Sequence, residues 1–477
     1  MSFNSFQYLL FFSCTAFGYY IIPFRWRWII LLSASYYFYI SWNLIYSLIL
    51  FIITSTTYFC AAQIPRVSSL LAKKTILIIG LLINLSFIFF FKYFNFFNEV
   101  IKSFVSCFTL LYPSVHLNLL VPIGISFYTF RALSYLIDVY RGTVQPEKHF
   151  GIFALYVSFF PSLLAGPIDR AQQLIPQFLQ EHKLNPTLFL QGIQLILLGF
   201  FKKVVIADRL GIYVDSIYNS LTQQNSLNYL MVVYGYTFQI YCDFSGYTDI
   251  AIGCAAILGF NLNQNFNLPY ISTTITEFWR RWHITLSFWF RDYLYISLGG
   301  NRKGAYRTLF NILITMLICG LWHGAAWTFI FWGSLHGMLL CLSRVTLQIR
   351  NQIYILLKLP DWIIRGIRII ITFHLVCLLW IFFRAKTIND AFIIIGGIFN
   401  AFINATNLTN QNSFMPMKDI ILISSFLILV FIYEVLKNTS SSFLKIPYIN
   451  FALFAFIFWI TFMWGGFSNQ QFIYFQF

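Results

Sequence analysis

Between Glu277 and Gly337 the chain concentrates residues able to do chemistry. Trp279-Arg280-Arg281-Trp282-His283 comes first, then Ser287, Arg291-Asp292-Tyr293 and Gly299-Gly300-Asn301-Arg302. Leu321-Trp322-His323-Gly324 and His336 close the stretch. Ionisable groups flanked by long uncharged runs are costly in lipid unless paired or facing water, which makes them functional candidates. His323 lies between two uncharged segments, preceded by Trp322 and followed by Gly324 and Ala325. An imidazole with an ordinary pKa of about 6.5 can take the proton of an attacking hydroxyl near neutral pH. Small neighbours leave room for a substrate, and the indole restricts water. A membrane histidine also serves as a hydrogen-bonding group between packed helices, so both readings stand.

The elements around these residues narrow the choices. Thr274 and Glu277 have capping-box spacing, which predicts a helix starting at Thr274 with Glu277 reaching back to it. On that helix Trp279, Trp282 and His283 share a face, continued by Ser287 and Arg291. The stripe reads as a cavity wall or as a satisfied core histidine beside an interfacial Arg–Asp pair. Asp243 and Asp249 end an apolar run. Asp243 is expected to pair with Arg280, Arg281 or Arg291, or to sit in an ordinary helix-end loop. His336, thirteen residues after His323, is expected to be structural. No metal-ligand cluster, P-loop, GxSxG, HExxH or Ser-His-Asp motif stands out. Direct transfer assisted by a base is therefore favoured over a covalent intermediate.

Composition sets the solvent. Of 477 residues 59% are hydrophobic and only 10% charged, and mean hydropathy is +0.73. A soluble domain would carry about 25% charged residues. The chain therefore reads as an all-α polytopic membrane protein, a single integral-membrane domain over 1–477 with its motif core at 241–337. Its net charge of +16 suits topology signals and anionic lipid better than nucleic acid. The eight cysteines lack CxxC spacing and read as small buried hydrophobes. The N-terminus lacks a basic region before its first apolar run, so no cleavable signal peptide is expected.

Phe6–Pro23 is long enough for one crossing, and Trp28–Gln63 reads as two helices turned at Ser41-Trp42-Asn43. Arg25, Arg27, Arg66, Lys73 and Lys74 fall on one side, which the positive-inside rule makes cytoplasmic, with the N-terminus outside. Prolines and glycines in Val121–Tyr140 and Gly151–Ile168 predict re-entrant or broken helices lining a central cavity, with kinks as the alternative. Lys202-Lys203 ends an apolar run and is expected to snorkel. Further spans are expected near Leu309–Gly320, Ala325–Ser343, Ile369–Phe383, Ile420–Tyr433 and Pro447–Trp464, about eleven to thirteen membrane helices in all. The polar patch Thr406–Asn412 reads as a solvent loop.

The motifs resemble those of the membrane-bound O-acyltransferase (MBOAT) family, in its bacterial alginate O-acetyltransferase branch. The resemblance rests on Trp279-Arg280-Arg281-Trp282-His283, Arg291-Asp292-Tyr293, Gly299-Gly300-Asn301-Arg302 and Leu321-Trp322-His323-Gly324. Pro122–Phe127, Phe159-Phe160-Pro161, Ala165–Ile168, Asp243–Tyr247 and Phe382–Ala385 fit the branch in order, with Ser162 a minor departure. It implies a ring of membrane helices around a funnel holding His323 as the catalytic histidine and His283 as the second motif histidine. It also implies acyl transfer from a cytoplasmic donor, acetyl-CoA, to a hydroxyl of an extracytoplasmic polysaccharide. A periplasmic or membrane-anchored partner is expected to complete transfer, and the location is the cytoplasmic (inner) membrane.

Within that reading Arg280 and Arg281 meet the donor, Asp243 fixes the network, and Trp279, Trp282 and Trp322 line the substrate site. No bound cofactor or metal is expected. Two other classes use the same features: a transporter of acyl groups, lipid or glycan, and a non-catalytic scaffold of a polysaccharide machine.

Overall fold

Lipid offers backbone amides no hydrogen-bond partner, so uncharged runs of this length must satisfy their own N–H and C=O groups as helices. The computed structural model describes every residue except 2, 4, 109–111, 114, 404–414, 440–445, 467–471 and 474–477, and among the described residues there is no strand. Eight helices there are long and apolar enough to cross a membrane: Leu44–Arg66, Leu70–Ser106, Pro186–Tyr218, Ala305–His323, Trp327–Val345, Asp361–Arg384, Met417–Asn438 and Pro447–Trp464. The protein is thus an all-helical, multi-pass membrane protein. The patch Thr406–Asn412 lies outside the described residues.

The chain divides into two compact units, Met1–Ile196 with Thr248–Asn263, and Leu197–Tyr247 with Gln264–Phe477. The first contains α1 (Phe6–Ile21), α2 (Phe24–Ile40), α3 (Leu44–Gln63), α4 (Leu70–Ile88), α5 (Phe94–Ser106), α6 (Ile125–Tyr140), α7 (Phe150–Ser158) and α8 (Ala171–Phe178). The turn between α2 and α3 falls where Ser41–Asn43 predicts it, and the Asn43 side chain caps α3 by accepting from the Ile45 N–H at 2.8 Å. In Val121–Tyr140 only the residues before Ile125 are non-helical. There Gly124 has φ +78°, and a Cβ on it would lie 2.9 Å from the Leu164 backbone.

The Gly151–Ile168 break is real. After α7 the chain runs buried to α8 with only one short 3₁₀ turn. Arg131, itself 1% exposed, donates from Nη2 to the carbonyls of Ser162 and Pro167, both at 2.8 Å. Asp169 follows and accepts from the Asn263 backbone N–H at 3.0 Å and its side-chain amide at 2.7 Å. Burial pushes the Asp169 carboxyl up to about 6, against the opposing pull of Arg131. Non-helical backbone is thus tolerated because side chains of the same unit satisfy it.

α9 (Pro186–Phe200) runs through a π-helical turn, Phe201–Ala207, into α10 (Asp208–Tyr218), and α11 spans Ser226–Ile257. Then follow α12 (Ile275–Arg281), α13 (Ile284–Trp289), α14 (Ala305–His323), α15 (Trp327–Val345), α16 (Leu347–Leu357), α17 (Asp361–Arg384), α18 (Ile388–Ile403), α19 (Met417–Asn438) and α20 (Pro447–Trp464). α14 and α15 form a tight antiparallel hairpin. A Cβ on Gly320 would sit 2.3 Å from the Phe329 carbonyl oxygen, and one on Gly333 2.3 Å from that of Met316. Glycine there lets two backbones touch. Cys14 and Cys107 are exposed, unlike the buried Cys242, Cys254, Cys319 and Cys377.

Candidate active site

The helix expected from Thr274 begins as the spacing predicts, with the Thr274 hydroxyl accepting from the Glu277 N–H at 3.1 Å. Glu277 reaches back one residue further than expected, to the Thr273 N–H at 2.8 Å and its hydroxyl at 2.7 Å. The helix then stops at Arg281, which corrects the single face expected for Trp279, Trp282, His283, Ser287 and Arg291. Trp282 is extended and His283 is left-handed, with φ +43° and ψ +55°. Such a conformation costs a non-glycine residue about 1–2 kcal/mol and persists only where neighbours over-determine it. Asn265, 1% exposed, is that neighbour. Its carbonyl oxygen accepts from the Ile284 N–H at 2.9 Å, and its side-chain oxygen from the Thr285 N–H at 3.2 Å and hydroxyl at 2.7 Å.

The break turns His283 inward. Its ring, 0% exposed, meets Phe244 at 4.7 Å and Trp322 at 6.2 Å between centroids. Trp322 in turn meets His323 edge-on at 4.8 Å, so one indole touches both motif histidines. His323 is 3% exposed at the C-terminal end of α14, with Trp332 and Phe383 each at 5.2 Å. Burial pushes the His283 imidazole down to about 3, so it stays neutral at any physiological pH. The aromatic walls keep the site dry, and a pKa pushed this low makes His283 a poor proton acceptor.

The other predicted residues separate into two groups. Trp282 is 1% exposed, packed on Trp380 at 4.9 Å, Phe266 at 5.0 Å and Phe278 at 5.6 Å. Trp279 is buried and donates its indole N–H to His336 Nδ1 at 3.3 Å. His336 is nearer the site than its spacing suggests. The hairpin folds α15 back, so Trp332 contacts His323 at 5.2 Å and His336 at 4.8 Å. Arg281 pairs with Glu277 at 2.8 Å, and Arg291 with Asp292 at 2.7 Å. Arg280 is exposed.

Asp243 pairs with none of those arginines. Its carboxylate binds Lys203, whose ammonium also lies 2.9 Å from Asp208, and all three are at most 2% exposed. Asp243 also accepts the Ile473 N–H at 2.8 Å, and Phe472 packs on Tyr247 at 4.8 Å. Neighbouring Lys202 pairs with Glu434 at 2.6 Å. The two lysines therefore do not snorkel. They sit in the π-helical turn of the α9–α10 helix and neutralise carboxylates from α10, α11 and α19. Sequence reading missed this network because Asp243 and Glu434 are 40 and 232 residues from their lysines. The one available signal was a charged pair inside a 33-residue apolar helix.

Residues 149–384 match the model of the MBOAT, membrane-bound O-acyltransferase, family. The chain is 40% identical over 385 residues to a probable alginate O-acetylase AlgI of Azotobacter vinelandii, covering 80% of this chain and 74% of that one. It is 37% identical over 400 residues to a peptidoglycan O-acetyltransferase of Helicobacter pylori, covering 78% and 73%. A teichoic acid D-alanyltransferase of Bacillus subtilis is 31% identical over 279 residues, covering 56% and 70%.

Proposed function

We propose that this chain, which belongs to the membrane-bound O-acyltransferase family, O-acetylates an exported or cell-surface polysaccharide, with His323 as its general base. The observation that carries the reading is the placement of His323 at the turn end of the α14–α15 hairpin, inside an aromatic wall, one indole from His283. Relatives named as alginate O-acetylases and a peptidoglycan O-acetyltransferase support an acetyl group and a glycan acceptor.

In the proposed step His323 accepts the proton of the acceptor hydroxyl as that oxygen attacks the thioester carbonyl carbon. The tetrahedral oxyanion collapses, the C–S bond breaks, and His323 returns the proton to the leaving thiolate. Placement, a base and a dry site suffice for this chemistry. The donor is acetyl-CoA, reaching the site from the cytoplasm, with the exposed Arg280 and the Glu277-paired Arg281 meeting its phosphates. Asp243 acts indirectly, by fixing α9–α10 against α11 through Lys203. Trp322 packs on His283 and His323 and Trp279 on His336, while Trp282 packs on Trp380 and Phe266 behind them.

Around this site the full protein forms one domain of about eleven to thirteen membrane helices enclosing a funnel open to both sides of the inner membrane. A periplasmic or membrane-anchored partner receives or relays the acetyl group. Mass spectrometry of surface glycans from cells lacking the chain, and from the same cells given wild-type or His323→Ala protein, tests the reading. Acetyl esters are expected to return with the wild type alone. Full restoration by His323→Ala would overturn the assignment of the base.

A further inference from the structure

The end of the α14–α15 hairpin opposite His323 carries a second feature that acyl transfer does not use. The N-terminal end of α14 lies beside the C-terminal end of α15, because Cys341 Sγ reaches the Leu309 carbonyl at 3.5 Å and Arg344 Nη1 reaches Asn301 at 3.4 Å. α16 follows directly, and Arg368 near the start of α17 stacks over Tyr354 of α16 at 5.8 Å. Four helix ends therefore meet at one place, about 27 Å along α14 from His323 at 1.5 Å per residue.

That place is strongly cationic. From Gly299 to Arg368 there are eight lysines and arginines and one acid, Asp361. Arg302, Lys303, Arg307, Arg344, Lys358 and Arg365 are exposed. Arg350 and Arg368 turn back on the protein, the former donating to the Ser343 carbonyl at 2.6 Å. α16 is apolar on its outer side. None of its residues is buried, and Ile349, Ile353, Leu356 and Leu357, at i, i+4, i+7 and i+8, are 46–79% exposed. Trp362, 75% exposed, lies five residues on, at the start of α17.

We infer that this collar is a binding site for anionic phospholipid headgroups of the cytoplasmic leaflet, with α16 lying in the plane of the interface. An exposed apolar helix stripe beside a dense cationic rim is the composition of an interfacial helix. Headgroup phosphates supply the negative charge that the collar lacks, at about fivefold in affinity for each lysine or arginine near the surface. The excess of positive charge also marks this end as cytoplasmic. The lipid site does not depend on the acyl-transfer reading.

Purified full-length protein in neutral detergent, titrated with phosphatidylglycerol or phosphatidylcholine and read by native mass spectrometry, tests it. Phosphatidylglycerol is expected to bind at least about tenfold more tightly, with the preference shrinking as salt rises. The variant Arg302→Gln/Lys303→Gln/Arg307→Gln is expected to lose about a hundredfold in that affinity. A second variant, Arg344→Gln/Arg365→Gln, is expected to lose about twentyfold, and Arg25→Gln/Lys73→Gln/Lys74→Gln to change it little. Size-exclusion profiles identify variants that fold. Equal retention of the two lipids, or an unchanged preference in both folded collar variants, would overturn the inference. Displacement of phosphatidylglycerol by micromolar free coenzyme A would also overturn it, by giving the collar to a soluble polyanion.

Discussion

Lys203→Met is expected to be among the most damaging single substitutions in this protein. The side chain is 1% exposed, and its ammonium serves two buried carboxylates, Asp208 at 2.9 Å and Asp243 in direct contact. Coulomb attraction at 2.9 Å is about 6 kcal/mol at an effective dielectric constant near 20, most of it offset by the cost of burying the charges. Removing the cation leaves that cost in place and sets two carboxylates near each other. Breaking a buried pair in this way costs about 3–5 kcal/mol. The melting temperature of the purified protein, followed by tryptophan fluorescence, should fall by about 3–5 °C. The triple variant Lys203→Met/Asp208→Asn/Asp243→Asn should recover most of the loss. It buries no charge, and the amide that replaces the Asp243 carboxylate would retain an oxygen for the Ile473 N–H. A single variant as stable as wild type, or a triple variant no better than the single one, would refute this view of the cluster.

Two further outcomes follow from the site. Gly320→Ala would place a Cβ 2.3 Å from the Phe329 carbonyl and force α14 from α15. It should cost about 2–3 kcal/mol despite alanine's better helix propensity, whereas Gly366→Ala, with nothing within 4 Å, should be neutral or stabilising; thermal melts of both variants compare them. Burial lowers the His283 pKa to about 3 from 6.5, so between those values the unfolded chain binds the extra proton and stability is lost as pH falls. The contribution is intact above pH 6.5 and about 2 kcal/mol is lost by pH 5. His283→Gln should flatten the melting temperature across that window, and an unchanged slope would remove His283 as its source.

Local signals in the sequence carried far, and tertiary ones did not. The Thr274 cap, the Asn43 turn and the span Pro447–Trp464 all lie where side-chain type and spacing put them. Proline and glycine around Phe159–Pro167 announced a real break, although its stabilisation by Arg131 depends on a residue 31 and 36 positions from the carbonyls it binds. The kink at His283 was invisible for the same reason. Helical periodicity continues through Trp282, and what interrupts it is Asn265, held against Ile284 and Thr285 from another loop. His336 looked remote because spacing along one helix was the wrong ruler for two helices folded against each other. Lys202 and Lys203 looked like interfacial residues because their carboxylate partners are supplied by α10, α11 and α19.

The central assignment, His323 as the base of acyl transfer, is tested most directly with purified protein in proteoliposomes. Free CoA release from acetyl-CoA is measured with and without a polysaccharide acceptor and its transfer partner. Wild-type protein should release CoA only when acceptor is present. His323→Ala should release it about 10²–10⁴-fold more slowly while keeping the wild-type melting temperature. Acceptor-dependent release by His323→Ala at the wild-type rate would contradict the assignment.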